Sequence, residues 1–232
     1  MDGSASDTGA AGRKGRRTGR EMCTLHDVKE DTVAEPRDRR EQILASAATL
    51  FAARGVAATT VRQIADEVGI LSGSLYHHFE SKEAIVHDII RPYLDDLRTR
   101  YKAALAQDGD PRGHLRGLVR ASLETAAAHP HATEIYQNDL NYLIEMPSFR
   151  YLKTAGKEVQ GTWLDVINEG IASGDFRTDI QPRIFYRLLR DAVWMSVRWY
   201  RPTREYPIGQ LVDDCTAIFL DGLSARTPVA ST

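Results

Sequence analysis

Thr59-Thr60-Val61-Arg62-Gln63-Ile64-Ala65-Asp66-Glu67-Val68-Gly69 runs directly into Ile70-Leu71-Ser72-Gly73-Ser74-Leu75-Tyr76-His77-His78-Phe79-Glu80-Ser81-Lys82, and this stretch decides the fold. Thr60 with Gln63 fits a capping box that opens a short helix over 61–68. Gly69 ends it. A tight turn leads to a second helix, from about Ser72 to Phe79, whose start carries only small polar side chains. The pair reads as a helix-turn-helix, an element that presses its second helix into a DNA groove. Ile64, Ala65, Val68 and Leu75 are expected to pack on the preceding helix, with Phe79 plugging the same core. Packing accounts for those positions but not for Ser72, Gly73, Ser74, Tyr76, His77 and His78. Small residues at a helix start let its amides and partial positive charge approach phosphates and base edges. Serine hydroxyls, Tyr76 and Lys82 can reach phosphate oxygens. His77 and His78 are neighbours and face different ways, so they do not converge on a metal ion.

Working outward, nearly everything from Pro36 reads as helix. Ile43, Leu44, Ala47, Leu50 and Phe51 recur at helical spacing before Gly55. Ser81 caps a long helix carrying Ile85, Ile89, Leu94, Leu97, Tyr101 and Leu105, and Pro92 within it predicts a kink or a break. Turns fall at 108–111, 129–130, 146–148, 173–176 and 201–202. They delimit helices to about Ala128, over about 132–145, over about 149–172, from Pro182 to about Tyr200, and from Pro207 to about Leu223. No strand alternation, internal repeat or Gly-rich phosphate loop is found. The fold class is all-α.

The chain has 232 residues, 42% hydrophobic and 27% charged, with a formal net charge of −2. That is a soluble globular composition. No apolar run reaches the roughly 18 residues a membrane helix needs. No apolar stretch follows the basic N-terminal residues, so no secretory leader is expected. Cys23 and Cys215 lie in unrelated segments and suit a reducing cytoplasm. The charge balance argues against a general nucleic-acid coat but leaves room for a local basic face. Residues 1–35 read as a disordered arm with a basic cluster at Arg13, Lys14, Arg16, Arg17 and Arg20. It is either a solvated tail or a phosphate-tracking arm.

Residues 36–82 resemble the TetR family of bacterial repressors. The likeness rests on Thr59 to Ala65, Gly69, Gly73 to Phe79, and Ser81-Lys82. It implies a TetR-like homodimer, with a three-helix DNA-binding head over 36–82 and a six-helix ligand-binding and dimerisation body over 83–232. It implies phosphate contacts at Thr60, Tyr76 and Lys82, and base-facing positions at Leu71, Ser72, Gly73, Ser74 and His77. Gly69 to Ser74 and Ser196 to Pro202 are also similar to the KstR-type regulators of cholesterol catabolism, most of all the second, late ring-degradation one. That resemblance implies an effector that is a CoA thioester of a steroid-ring remnant.

In the body, Arg190, Trp194 and Arg198 are spaced i, i+4, i+8 and line one side of a predicted helix. Arginine beside tryptophan suits an anionic ligand with a ring system; the plainer reading is an interface or a surface. Tyr136, Gln137, Asn141, Tyr142, Trp163 and Tyr186 are polar-tipped residues that fit a pocket or an ordinary core. The candidate ligand set is Tyr136, Gln137, Trp163, Tyr186, Arg190, Trp194 and Arg198. No catalytic constellation and no cofactor motif is seen, and Cys215 is expected to be a small buried residue. Rival readings are a repressor answering another acyl-CoA, a fatty acid or a lipophilic drug, an enzyme with a helical body, and a DNA-architectural protein. The last would be far more basic.

Overall fold

The computed structural model describes residues 36–223, which belong to one compact unit. Cys23 and the basic cluster of residues 13–20 lie outside the described residues. Among those described there are nine α-helices and no β-strand. Helix α1, Pro36–Arg54, buries Ile43, Ala47, Leu50 and Phe51 along one stripe. Gly55 ends it in the left-handed region, φ 84°. Helix α2, Val61–Val68, opens on the expected capping box: Thr60 Oγ1 accepts from Gln63 N at 3.3 Å, and Gln63 Oε1 accepts from Thr60 N at 2.8 Å. Such a cap is worth about 1 kcal/mol. Ile64 and Ala65 enter the core of the head with Leu75 and Phe79.

Helix α3 is shorter than the sequence suggests. It covers Ser72–Leu75, and the chain continues as a turn through His78. The amides of His77 and His78 reach back three residues, to the carbonyls of Ser74 and Leu75. Gly73 and two serines are weak helix formers, and Ser81 must be extended to cap the next helix. The final turn therefore tightens.

Helix α4, Lys82–Leu105, runs 24 residues with Pro92 inside it. Of the kink or break expected there, the break does not occur. Proline removes one backbone bond, while Ile90, Tyr93 and Leu94 on either side are buried and hold both turns. No linker separates head from body, because α4 starts in one and ends in the other. Arg40 of α1 pairs with Asp88 of α4 and covers the Phe79 ring.

The body is built around α5, Pro111–Ala128, which packs on α4 and on three helices further along the chain. Those are α7, Tyr151–Ser173; α8, Pro182–Trp194; and α9, Ile208–Leu223. Trp163 Nε1 of α7 donates to Tyr101 Oη of α4 at 2.8 Å, and Tyr101 Oη lies 2.6 Å from Ser122 Oγ of α5. The indole is only a donor, so Tyr101 Oη accepts from it. Three helices thus share one buried polar chain. Helix α6, Pro130–Ile144, packs on both α1 and α4 and joins head to body.

Helix α8 also ends early. After Trp194 the chain tightens into a 3-10 turn, Met195–Arg198. Ser196 Oγ donates to the Val193 carbonyl at 2.6 Å, and Pro202 disfavours helix at Arg201. Cys215 of α9 is half-buried rather than buried. The inward face of α9 is Leu211, Val212, Thr216 and Leu220, and Cys215 stands beside it.

Two glycines of α7 give a test of this packing. A Cβ on Gly170 would stand 2.1 Å from the buried Phe176 ring, whereas one on Gly161 would meet nothing within 4 Å. Gly170→Ala is expected to lose about 1–3 kcal/mol, lowering the melting temperature by several degrees. Gly161→Ala is expected to gain about 0.5–1 kcal/mol through helix propensity. Thermal melting of the two variants reads both signs.

Candidate functional site

The head presents a compact exposed face. Leu71 is 79% and Tyr76 54% exposed, large values for such side chains. Thr60, Gly73 and His77 are exposed beside them, and Ser72 and Ser74 are half-buried. His78 is half-buried too, so the histidine pair divides between solvent and protein. Gly73 is the informative residue. Its backbone is helical, with no positive φ, and a Cβ there would meet nothing within 4 Å. Glycine costs a helix about 1 kcal/mol relative to alanine. Nothing inside the protein asks for it.

Two of the phosphate candidates are already engaged. Lys82 Nζ donates to the Val56 carbonyl at 2.8 Å and the Thr59 carbonyl at 3.1 Å. It ties the first residue of α4 to the loop between α1 and α2, so two of its three protons serve the fold. The Thr60 hydroxyl lies 3.1 Å from Gln63 Oε1, besides accepting the helix cap. Tyr76 carries no such internal duty.

The same loop is held from the body. Asp139 Oδ1 of α6 accepts from Val56 N at 3.3 Å. Burial pushes the Asp139 carboxyl above its ordinary pKa, against the opposing pull of the Val56 N–H and Lys82. One turn earlier on α6, Tyr136 and Gln137 face a cavity of about 330 Å³. Tyr186, Arg190 and Trp194 of α8 line it too, so five of the seven ligand candidates converge. Burial, with Tyr186 nearby, pushes the Tyr136 phenol up to about 12, which keeps it neutral.

Trp163 and Arg198 are not part of this lining. Trp163 is a core residue, 1% exposed, with its indole N–H given to Tyr101. It stands behind Tyr186, ring centres 6.2 Å apart. Arg198 is carried off the α8 face by the 3-10 turn. Four residues at about 120° each, rather than about 100°, place it roughly 80° round from where a continued α-helix would put it. Its guanidinium donates to Asn138 instead.

Sequence reading missed Lys153 and Lys157 of α7, Arg187 of α8, and Tyr93 of α4, all of which line the cavity. The i, i+3, i+4, i+7 run of Lys153, Gly156, Lys157 and Gln160 was an available signal. Four cations surround the cavity and no carboxylate lines it. Arg190 leans on Asp191, which stands outside the lining. A second recess, about 490 Å³, lies between α1, α5, α6 and the 3-10 turn. Its polar lining mixes His131, Glu134 and Arg201, with no single sign of charge.

Comparison with known proteins finds matches to two stretches of the chain. Residues 43–89 match the bacterial regulatory proteins of the tetR family, and residues 108–223 match the tetracyclin repressor-like C-terminal domain. The KstR2 transcriptional repressor of Mycolicibacterium smegmatis is 45% identical over 195 residues, 84% of this chain and 95% of that protein. The chain belongs to the TetR family. The KstR2 repressor of Rhodococcus jostii is 44% identical over 187 residues, 81% of this chain and 92% of that one. The solved structure of the ketosteroid transcriptional regulator KstR2 of Mycobacterium tuberculosis matches with a TM-score of 0.75 at 42% identity, covering 83% of this chain and 98% of that one. This is a TetR-type transcriptional repressor similar to KstR2, and not an enzyme. No described helix is long and apolar enough to cross a membrane.

The engagement of Lys82 has a consequence for mutagenesis of this repressor. Lys82→Met is expected to lower the melting temperature by several degrees, since it strips two loop carbonyls of a charged donor, at about 1.5–3 kcal/mol. Tyr76→Ala, at an exposed site, should change stability by no more than about 0.5 kcal/mol. Equal melting of both variants with wild type would remove Lys82 from the fold's support.

Proposed function

We propose that this TetR-type repressor acts in the cytoplasm as a homodimer, binds a palindromic operator, and is released by an anionic, apolar-bodied effector. The effector class is a CoA thioester of a steroid-ring catabolite, and the genes controlled serve steroid breakdown. One observation carries the effector class: an aromatic and aliphatic cavity ringed by Lys153, Lys157, Arg187 and Arg190, with no acid in its lining. Cations at the rim hold phosphates and a thioester's polar portion, while Tyr136, Tyr186 and Trp194 receive rings. Another acyl-CoA or a fatty acid shares this chemistry. A cationic drug does not, because it asks for buried carboxylates. The similar structure from Mycobacterium tuberculosis is that of a ketosteroid transcriptional regulator, which favours a ketosteroid origin.

Ile184 and Leu188 on α8 and Ile218 on α9 are 47%, 62% and 70% exposed. An apolar face of this kind on the last two helices suits packing against a second copy across a twofold axis. Two recognition elements related by that axis read a palindrome. Base contacts come from Leu71, Ser72, Gly73, Ser74 and His77; Leu71 suits a thymine methyl. Phosphate contacts come from Tyr76 and Thr60, and from the third proton of Lys82.

Release works through α6. Its residues 136–140 face the effector at one turn and hold the Val56 amide at the next. The effector must prefer the DNA-incompetent arrangement by about 1.4 kcal/mol for each tenfold loss of operator affinity.

Operator binding is tested by mobility shift on DNA upstream of the neighbouring genes. Gly73→Ala is expected to fold as well as wild type or better and to bind that DNA at least tenfold more weakly, because the added methyl stands in the groove. Undiminished binding would place the recognition surface elsewhere.

Effector release is tested with Arg190→Ala and Lys157→Ala. Arg190→Ala is expected to weaken CoA-thioester binding roughly tenfold to a hundredfold, the loss of a charge-assisted hydrogen bond. Lys157→Ala, at the solvent edge, should lose less. Operator affinity without effector stays near wild type in both. Trp194→Ala is a poorer probe, since emptying a buried indole site costs about 3–5 kcal/mol by itself. Monomeric variants that no longer bind DNA would assign Arg190 to the subunit interface instead.

A further inference from the structure

The second recess, about 490 Å³, is larger than the effector cavity and shares no lining residue with it. One wall is α1 of the DNA-reading head, through Ala52 and Ala53. The others are α5, α6 and the 3-10 turn with the segment after it. Leu123, Val197 and Tyr200, all buried residues, give the recess its apolar part. The Tyr200 ring is fixed, since its hydroxyl donates to the Tyr206 carbonyl at 3.3 Å. Two opposite charges line the same recess without pairing. Glu134 of α6 is half-buried, and its carboxylate has no ion pair or hydrogen bond among the described residues. Arg201 is exposed, but its guanidinium is held: Nη1 donates to the Val197 carbonyl at 2.7 Å and the Tyr200 carbonyl at 2.8 Å. Its Nε and Nη2 have no acceptor among the described residues.

Partial burial costs a carboxylate free energy that an ion pair or hydrogen bond ordinarily offsets. Glu134 and Arg201 face one recess and form no such pair with each other. A ligand that spans them supplies both counter-charges. An anion alone leaves Glu134 unpaired and sets a like charge beside it. A cation alone does the same to Arg201. The complement is a zwitterion, its ammonium toward Glu134 and its carboxylate toward Arg201, whose remaining N–H groups can hold two oxygens. The apolar part of the lining asks for an apolar body between or beside those charges. This chemistry differs from that of the effector cavity, where four cations stand and no acid lines the wall. The phosphates of a CoA thioester would meet Glu134 here.

We propose that this recess is a second ligand site, taking a zwitterion with an apolar body such as an aromatic amino acid, and that its occupant bears on operator binding. The site stands apart from the reading of the effector cavity. Its bearing on DNA follows from its walls. Helix α1 belongs to the head, while α5, α6 and the 3-10 turn belong to the body, so an occupant fixes one against the other. The linkage is reciprocal: the factor by which the occupant changes operator affinity is the factor by which the operator changes the occupant's.

L-phenylalanine is the probe, since it carries the ammonium, the carboxylate and a ring. Its two halves are phenethylamine, which lacks the carboxylate, and hydrocinnamate, which lacks the ammonium. Calorimetric titration of the full-length protein is expected to show saturable binding of L-phenylalanine. Each half should bind roughly tenfold to a hundredfold more weakly, the loss of one charge-assisted hydrogen bond. Glu134→Gln is expected to weaken L-phenylalanine by a similar factor and to bind hydrocinnamate at least as well as wild type. Ala53→Phe, at an exposed position of α1, fills the recess and should abolish binding. It is preferred to a change at Arg201, which also holds the 3-10 turn. Mobility shift with and without L-phenylalanine is expected to show altered operator affinity in wild type and no alteration in Ala53→Phe. Absence of saturable binding, equal binding of the zwitterion and its halves, or undiminished binding by Glu134→Gln would overturn the site. Binding that leaves operator affinity unchanged would overturn its bearing on DNA.

Discussion

Helix α4 is the member on which everything else depends. Its first residue, Lys82, places an ammonium on two carbonyls of the loop between α1 and α2, inside the DNA-reading head. Its later turns put Tyr93, Leu94, Leu97 and Tyr101 into the core of the body. A single helix with no flexible joint makes the head's position a function of the body's packing. Continuity through Pro92 matters for that reason. One backbone hydrogen bond is given up, and burial on both sides offsets the loss.

Helix α6 closes the loop from the other side. Asp139 takes the amide of Val56 while Lys82 takes its carbonyl, so one peptide segment is held by both helices. Asp139 pays for this position with partial desolvation, visible in its raised pKa. The cavity lies one turn back along α6 and is faced by α4 as well. In the proposed release by an effector, an occupant presses on the two helices that hold the head, and coupling needs only those two helices sharing a loop at one end.

The head was legible because its signals are local. The Thr60–Gln63 box, the glycine stops and the Ser81 cap each depend on neighbours within four residues, and each formed as read. The sequence said less where a residue's role depends on a distant partner. Lys82, expected to contact phosphate, also holds the loop carbonyls of Val56 and Thr59. Trp163 fitted a pocket or an ordinary core, and Tyr101, 62 positions earlier, accepts its N–H within the core. Arg198 kept its place in the i, i+4, i+8 pattern only while the helix was assumed to stay α. Lys153, Lys157 and Arg187 went unread because a lysine pair on a helix resembles any solvated face until a cavity opens next to it.

The amino-acid sequence by itself determined the all-α class, the positions of the helices to within a few residues, the helix-turn-helix and the family. Those follow from hydrophobic period and capping chemistry, which act over one or two turns. Tertiary structure alone decided which side chains meet: the cation ring on the cavity, the double hold on the Val56 segment, and the Glu134 and Arg201 charges that share a recess without pairing. The physical reason is range. Helix signals are written between neighbours, whereas charge complementarity and hydrogen-bond satisfaction are settled between helices far apart in the chain.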